Sequence, residues 1–400
     1  ELSNSMASLL QALNLAGRLR PARGTSTRET RAGPNRQAAP CPPRRRACRQ
    51  VGPPPISASA ERDAARSGRF RLPAARKGVA ASQSQEAAVS IEGGPDVFEG
   101  TILSEYNTWA IGGPARYFTT VTTEDEMAAV LRYCAREGLQ YFVLGKGSNC
   151  LFDDRGFDGV VVLNQIEVFE DLGDGVFRAG AGYAFNQMGA MTSRDGWSGL
   201  EFAIGIPGTV GGAVFMNAGA NGQETGEVVT SVEMVDTEGN KRVLTGDELV
   251  WSYRHSPFMD MEGRGVVTAA TFQLAPNEEA RGRALEYMDK RRQSQPVTSR
   301  TCGCVWRNPP GASAGMLIDE LGLKGAQVGE AEVSEMHANF LINKGGSTAA
   351  DILELIQNVK AKVEASSGHE LEEEVRFVPF DYQGKCTDFR GMLERHRGGS

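Results

Sequence analysis

No stretch of this 400-residue chain is both long and apolar enough to span a bilayer. The nearest approach is the uncharged run from Phe202 to Gln223, but it holds six glycines with Pro207, Thr209 and Asn217, so tight turns are expected there. Cysteine is sparse, seven in all. Apart from Cys41 and Cys48 near the start, five remain: Cys134, Cys150, Cys302, Cys304 and Cys386. Their spacing suits neither a disulfide framework nor a zinc site, so reduced thiols are expected. Cys302 and Cys304 would share one face of an extended segment, near the upper limit for a bridge, and none is expected between them. His255 and His369 have no partner at ligand spacing, and no metal is expected. There is no internal repeat.

Acidic residues are almost missing from the first 80 positions. That segment holds 15 Arg and Lys77 against Glu1, Glu29, Glu61 and Asp63, a net of +12, while the remaining 27 basic and 46 acidic residues leave −19. An Arg-, Ala-, Ser- and Pro-rich, acid-poor leader has the composition of an organellar transit peptide, with a basic nucleic-acid-binding arm as the rival. Residues 1–85 are therefore read as a disordered targeting segment, with Ser5-Met6-Ala7-Ser8 resembling a plastid-type start, the chloroplast stroma as the expected destination and the cytoplasm as the alternative. An acidic body argues against nucleic acid as a partner.

From about residue 100 strands and helices alternate. Helices are expected at Glu124 to Glu137, Glu279 to Arg292, Ala314 to Leu321 and Ala349 to Ala365, the last capped by Ser347 or Thr348. Strands are expected at Tyr141 to Leu144, Val160 to Leu163, Val228 to Val235, Val266 to Leu274, Cys304 to Trp306, Asn339 to Asn343 and Glu374 to Val378. The composition changes after Gln295-Pro296, which divides the body into 86–293, with parts of about 86–163 and 164–293, and a compact α+β unit at 294–382. The tail 383–400 is expected to fray.

Two glycine-rich elements stand out. Gly145-Lys146-Gly147-Ser148-Asn149 follows a strand, and its glycines let successive N–H groups converge on phosphate oxygens; the alternative is a plain turn. It is neither a Rossmann nor a Walker loop, since Cys150 takes the third glycine's place and no Lys-Ser/Thr pair follows. Ile206-Pro207-Gly208-Thr209, running on through Gly212 and Ala213 to Asn217, would admit a flat ligand or a pyrophosphate, or else close backbone packing. Two such elements together favour a dinucleotide. A third, Asn107 to Ala115, marks a tight passage whose role is not readable. Arg254, amid aromatic and apolar neighbours, needs an anion or a structural ion pair. Glu374 and Arg376 would share one strand face, while Glu372 and Glu373 read as solvated charges. Cys304, between Gly303 and the run to Asn308-Pro309, sits where a fold would open.

In order, the runs NTWAIGGPA, LGKGSN, GIPGTVGGA with MNAGA, YRHSPF, CGCVWRNP, HANFLIN and LEEEVRF resemble UDP-N-acetylenolpyruvoylglucosamine reductase, the MurB family, over about Asn107 to Phe377. The short interval from Phe258 to Gln295 resembles the compact type without a tyrosine-bearing insertion. The resemblance implies an α+β fold: two subdomains holding FAD in the manner of vanillyl-alcohol-oxidase-like flavoproteins, and a C-terminal domain over the substrate. It implies NADPH as reductant and a UDP-sugar enolpyruvyl ether as substrate. FAD would lie on Gly145–Asn149, Ile206–Ala213 and Asn217. Arg254 and Glu374 would stabilise the developing charge, Cys304 would give the proton, and Tyr253, Asn308 and Asn339 would touch substrate. The family usually has Ser at the proton-donor position, so Cys304 is a departure. A thiol near its ordinary pKa would be the better acid, and open to alkylation. Another FAD oxidoreductase of the same fold, or a flavin-binding protein without turnover, is the alternative.

Overall fold

The computed structural model describes residues 89–383. The leader at 1–85 and all but the first residue of the 383–400 tail lie outside them, as does Cys386.

Local end signals fix the first helix. Thr123 accepts a hydrogen bond from the Glu126 amide, Glu126 reaches back to the Thr123 amide, and Gly138 stops the helix at φ 64°, so α1 spans Glu124–Glu137. Its buried face, Met127 to Leu131 with Cys134, packs on two sheets at once, against Val160 and Val162 of one and Val235 and Val266 of the other. The first sheet runs in the order Val89–Ser90, Asp96–Ile102, Pro114–Val121, Phe157–Asn164, Tyr141–Leu144, the last three parallel. The second is antiparallel, in the order Lys241–Thr245, Val229–Asp236, Gly265–Gln273, Val176–Gly180, Phe169–Gly173. Helices α2 (Phe185–Arg194) and α3 (Val210–Met216) bury apolar faces beside it. The uncharged run expected to turn does so, through a 3-10 turn (Glu201–Gly205), α3 and a small hairpin of Gly219–Ala220 with Gln223–Glu224. A one-turn helix α4 (Pro257–Asp260) and the long α5 (Ala280–Ser294) complete this part.

The last part packs α6 (Ala314–Glu320) and α7 (Ala349–Ser367) on a three-stranded sheet, Gln327–Val328, Ala331–Val333 and Leu341–Asn343, around Trp306 and the apolar face of α7. Thr348, one of the two expected caps, closes a capping box with Asp351. This part does not close on itself. Its final strand, Arg376–Val378, pairs in parallel with Cys150–Phe152 from the earlier part. The Asp154 carboxylate accepts the Ala349 and Ala350 amides at the start of α7, at 2.7 and 3.2 Å. Trp109 donates its indole N–H to the Leu341 carbonyl at 2.9 Å, and Asn343 returns a bond to the Trp109 carbonyl at 2.8 Å.

Two expectations need correction. Cys304 to Trp306 is not a ladder strand. Cys304 bridges Phe340 on one side and Trp306 bridges Glu373 on the other, so the segment is threaded between two neighbours with one bridge to each. Glu373 is not a solvated charge either, because Lys360 of α7 holds its carboxylate at 2.6 Å with both side chains largely buried.

Candidate active site

A cavity of about 430 Å³ opens between the three sheet-bearing parts, within the range of small-molecule and cofactor sites. Both glycine-rich elements line it. Gly145, Lys146, Gly147, Ser148 and Asn149 form one wall, and Ile206, Pro207, Gly208, Thr209, Gly212 and Ala213 another. The two walls need small residues because they touch. A Cβ on Gly145 would stand 2.5 Å from Thr209 Oγ1, and one on Gly147 (φ +58°) would stand 2.5 Å from the Tyr106 carbonyl. The Asn107–Ala115 run, unreadable in the sequence, supplies that backing. Thr108 donates its amide to the Gly147 carbonyl, and Asn107 ties its own loop to Leu103 and Ile111. Bare backbone thus faces the cavity from two sides, where side chains would fill the space, and this cradle suits the phosphates and flat ring of FAD.

The other end is built from charged side chains. Ser252 and His255 exchange both backbone hydrogen bonds, and the two-residue turn between them throws Arg254 into the left-handed region at φ 55°. Its guanidinium donates Nε–H to Glu374 Oε1 at 3.0 Å, Nη2 to the Gly219 carbonyl at 2.7 Å, and faces Glu224 Oε1 at 3.4 Å. Glu374 hangs just before the final strand, its amide held by the Val305 carbonyl at 2.7 Å and its carbonyl by the Asn149 side chain at 3.0 Å. Burial pushes its carboxyl up, opposed by Arg254. Cys304 lines the same cavity, and burial with the Glu374 charge pushes its thiol up to about 12, against Arg291 and Arg254. The thiol is half-buried, and the low dielectric around it disfavours the thiolate.

Arg254, Cys304 and Glu374, far apart in the chain, meet at one end of the cavity. Four other residues singled out in the sequence stand outside its lining. Asn339 is buried, and its amide is consumed by the Val305 and Trp306 amides and the Trp306 carbonyl. It shapes the Cys304 segment rather than offering a free group. Asn308 accepts the Ala314 amide at the start of α6. Tyr253 is half exposed with its ring under the Arg254 guanidinium. Asn217 bonds Glu224 and the Ser252 carbonyl, so it sets Arg254's surroundings instead of lining the cradle. Glu224, Arg291, Gln295 and Arg376 belong to the site's surroundings without having been expected there. Only Arg376 left a signal, its alternation with Glu374.

Comparison with known proteins agrees with this geometry. The profile described as UDP-N-acetylenolpyruvoylglucosamine reductase, C-terminal domain, matches residues 295–378, and that described as FAD binding domain matches 115–245. The reductase of that name from Protochlamydia amoebophila is 48% identical over 280 residues, 70% of this chain and 93% of the relative. That from Chlamydia muridarum is 44% identical over 284 residues, 71% and 95%. Among solved structures, UDP-N-acetylenolpyruvylglucosamine reductase (MurB) from Thermus caldophilus aligns with a TM-score of 0.61 and 36% identity, covering 71% of this chain and all of that one. A flavin-sized cradle, three convergent reactive side chains and near-complete coverage of these relatives lead to one assignment: this chain belongs to the UDP-N-acetylenolpyruvoylglucosamine reductase family.

Proposed function

We propose that the chain reduces UDP-N-acetylglucosamine enolpyruvate to UDP-N-acetylmuramate for peptidoglycan synthesis, with NADPH as reductant. FAD bound in the cavity would carry the hydride from NADPH to the terminal alkene carbon. Arg254 and Glu374 hold the negative charge that then develops toward the pyruvyl carboxylate, an electrostatic contribution made strong by burial. Burial raises Glu374's affinity for a proton, opposed by the Arg254 guanidinium that donates to its Oε1 at 3.0 Å. Cys304 gives its thiol proton to the adjacent carbon: the S–H bond breaks, the C–H bond forms, and the thiolate recovers its proton from water. The thiolate is costly in this cavity, so its life is short. The observation that carries the reading is the meeting of Arg254, Glu374 and Cys304 at one end of a glycine-walled cavity.

Residues 86–293 would form the FAD-binding part and 294–382 the substrate-covering part. We propose further that the basic leader directs the chain to a plastid. A fusion of residues 1–85 to a fluorescent protein that stays outside plastids would refute this.

The reaction is tested by anaerobic reduction with NADPH followed by the enolpyruvyl substrate. The flavin should bleach and then recover its yellow colour as the lactyl ether forms. Cys304→Ala should bleach normally but recover roughly 10²–10⁴-fold more slowly, whereas Cys304→Ser should stay active. Normal turnover by Cys304→Ala would sink the proton-donor assignment.

A further inference from the structure

The Arg254 guanidinium is held by two carboxylates, and the reaction as described uses only Glu374. The other, Glu224, is placed by a short hairpin. Asn221 and Gly222 both take the left-handed region, at φ 56° and 81°, as a tight two-residue hairpin turn requires. That turn pairs Gln223–Glu224 with Gly219–Ala220 and sets Glu224 directly across from Gly219. Gly219 has to be bare, because a Cβ there would stand 2.8 Å from Glu224 Cγ and 3.1 Å from Arg254 Nη1. Both Glu224 oxygens are then engaged. Oε2 accepts from Asn217 Nδ2 at 2.8 Å, and Oε1 accepts from Arg254 Nη1 at 3.4 Å. Asn217 ties the arrangement together, since its side chain also donates to the Ser252 carbonyl, two residues before Arg254, and accepts the Gly226 amide. An arginine in the left-handed region persists there only where its surroundings over-determine it, and Glu224 is one of those surroundings.

One guanidinium cannot neutralise two carboxylates. With Arg254, Glu224 and Glu374 all charged, one positive and two negative groups leave a net −1 beside the place where further negative charge develops, and a single proton makes the cluster neutral. Glu374 is the better placed to take it. Its side chain is the more enclosed, 19% exposed against 26% for Glu224. Among the described residues Arg254 alone donates to its carboxylate, whereas Glu224 meets both Arg254 and Asn217. Burial pushes Glu374's proton affinity up and Glu224's charge adds to this, against Arg254 and Arg307. The Cys302 and Cys304 thiols also face it, each pushed up by burial first and by the Glu374 charge as well. We propose that Glu224 is a positioning residue for the substrate step. It acts through Arg254, holding the guanidinium in place and serving as its charged partner, so that the cluster's proton stays on Glu374 and the developing negative charge meets a neutral group there. The proposal rests on the reductase reading, in which Arg254 and Glu374 hold that charge.

The test follows reoxidation of the NADPH-reduced, FAD-loaded protein by the enolpyruvyl substrate, in single turnovers from acid to alkaline pH. Glu374 must hold its proton, so the rate falls on the alkaline side as that proton is lost. Glu224→Gln removes the neighbouring charge and lowers Glu374's proton affinity. Its alkaline limb should move to lower pH, and on that limb the rate should fall about tenfold or more. Glu224→Asp keeps the charge but is one methylene shorter. Its limb should stay in place while the plateau falls roughly 10–10²-fold as Arg254 shifts. FAD affinity and the rate of reduction by NADPH should be unaltered in both. An unmoved limb in Glu224→Gln overturns the proposal. Loss of FAD, or slowed reduction by NADPH, in both variants also overturns it, since Glu224 would then serve the fold alone. One check needs no change at 224. At a pH above the ordinary carboxylate range, the wild-type FAD-loaded protein should show the infrared band of a protonated carboxyl that is missing in Glu374→Gln, and its absence overturns the proposal. Failure of the reductase reading would show separately, as wild-type flavin that never recovers its colour with the substrate.

Discussion

The two ends of the cavity are made by opposite means. One is walled by glycines and works by what it omits, since a single methyl on Gly145 would strike Thr209 of the facing wall and one on Gly147 the loop behind it. The other is crowded with side chains, where Arg254 alone engages Glu374, Glu224 and the Gly219 carbonyl. The first specifies a shape for any ligand with phosphates and a flat ring. The second specifies a reaction, because burial there moves the proton affinities of Cys304 and Glu374. Cofactor capture and chemistry should therefore be separable by mutation.

The largest expected effect concerns the thiol. With its pKa pushed up to about 12 by burial and the Glu374 charge, Cys304 holds far less thiolate at neutral pH than an ordinary thiol. Its alkylation by iodoacetamide, followed by peptide mapping, should be slow in the native protein and should rise about tenfold per pH unit as pH climbs toward the raised value. Rapid labelling at neutral pH would show that burial does not govern it. Next, Arg254→Met should slow flavin reoxidation by substrate roughly 10²–10³-fold while FAD stays bound. Loss of FAD instead would merge the two ends into one function. The smallest effect should come from Gly147→Ala. A left-handed backbone costs a non-glycine residue about 1–2 kcal/mol, and the added methyl meets the Tyr106 carbonyl. FAD should bind about tenfold more weakly, read by fluorescence, with the substrate step unaltered once the site is saturated.

The glycine end was legible in the sequence because its signal is local: two short runs, each beside a strand, whose residue types already limit what can pack there. Helix α1 was legible for the same reason, since Thr123, Glu126 and Gly138 mark both of its ends. The charged end was legible only through resemblance. Nothing near Arg254 announces Glu374 as its partner, because 120 residues separate them. Asn339's bonds were hidden for a related reason. Its amide serves the backbone of Val305 and Trp306, more than 30 residues back, which no local pattern announces. The strand expected at Cys304 failed because β-propensity describes one segment, while a ladder needs a neighbour that continues alongside. Arg291 left no mark, for the space its side chain fills lies beside Gly205, far back in the chain.

The parallel pairing of Arg376–Val378 with Cys150–Phe152 bears on how the chain is made. The glycine loop ends at Asn149, and Asn149 is fastened to Glu374 and Arg376 on the far side of the sequence, 225 residues later. Synthesis runs from the N-terminus, and contacts this distant form late. The cradle is translated early, but its Asn149 end is not fastened until the last strand emerges. Its ligand would be captured near the end of folding, when the residues that use the cofactor are also in place.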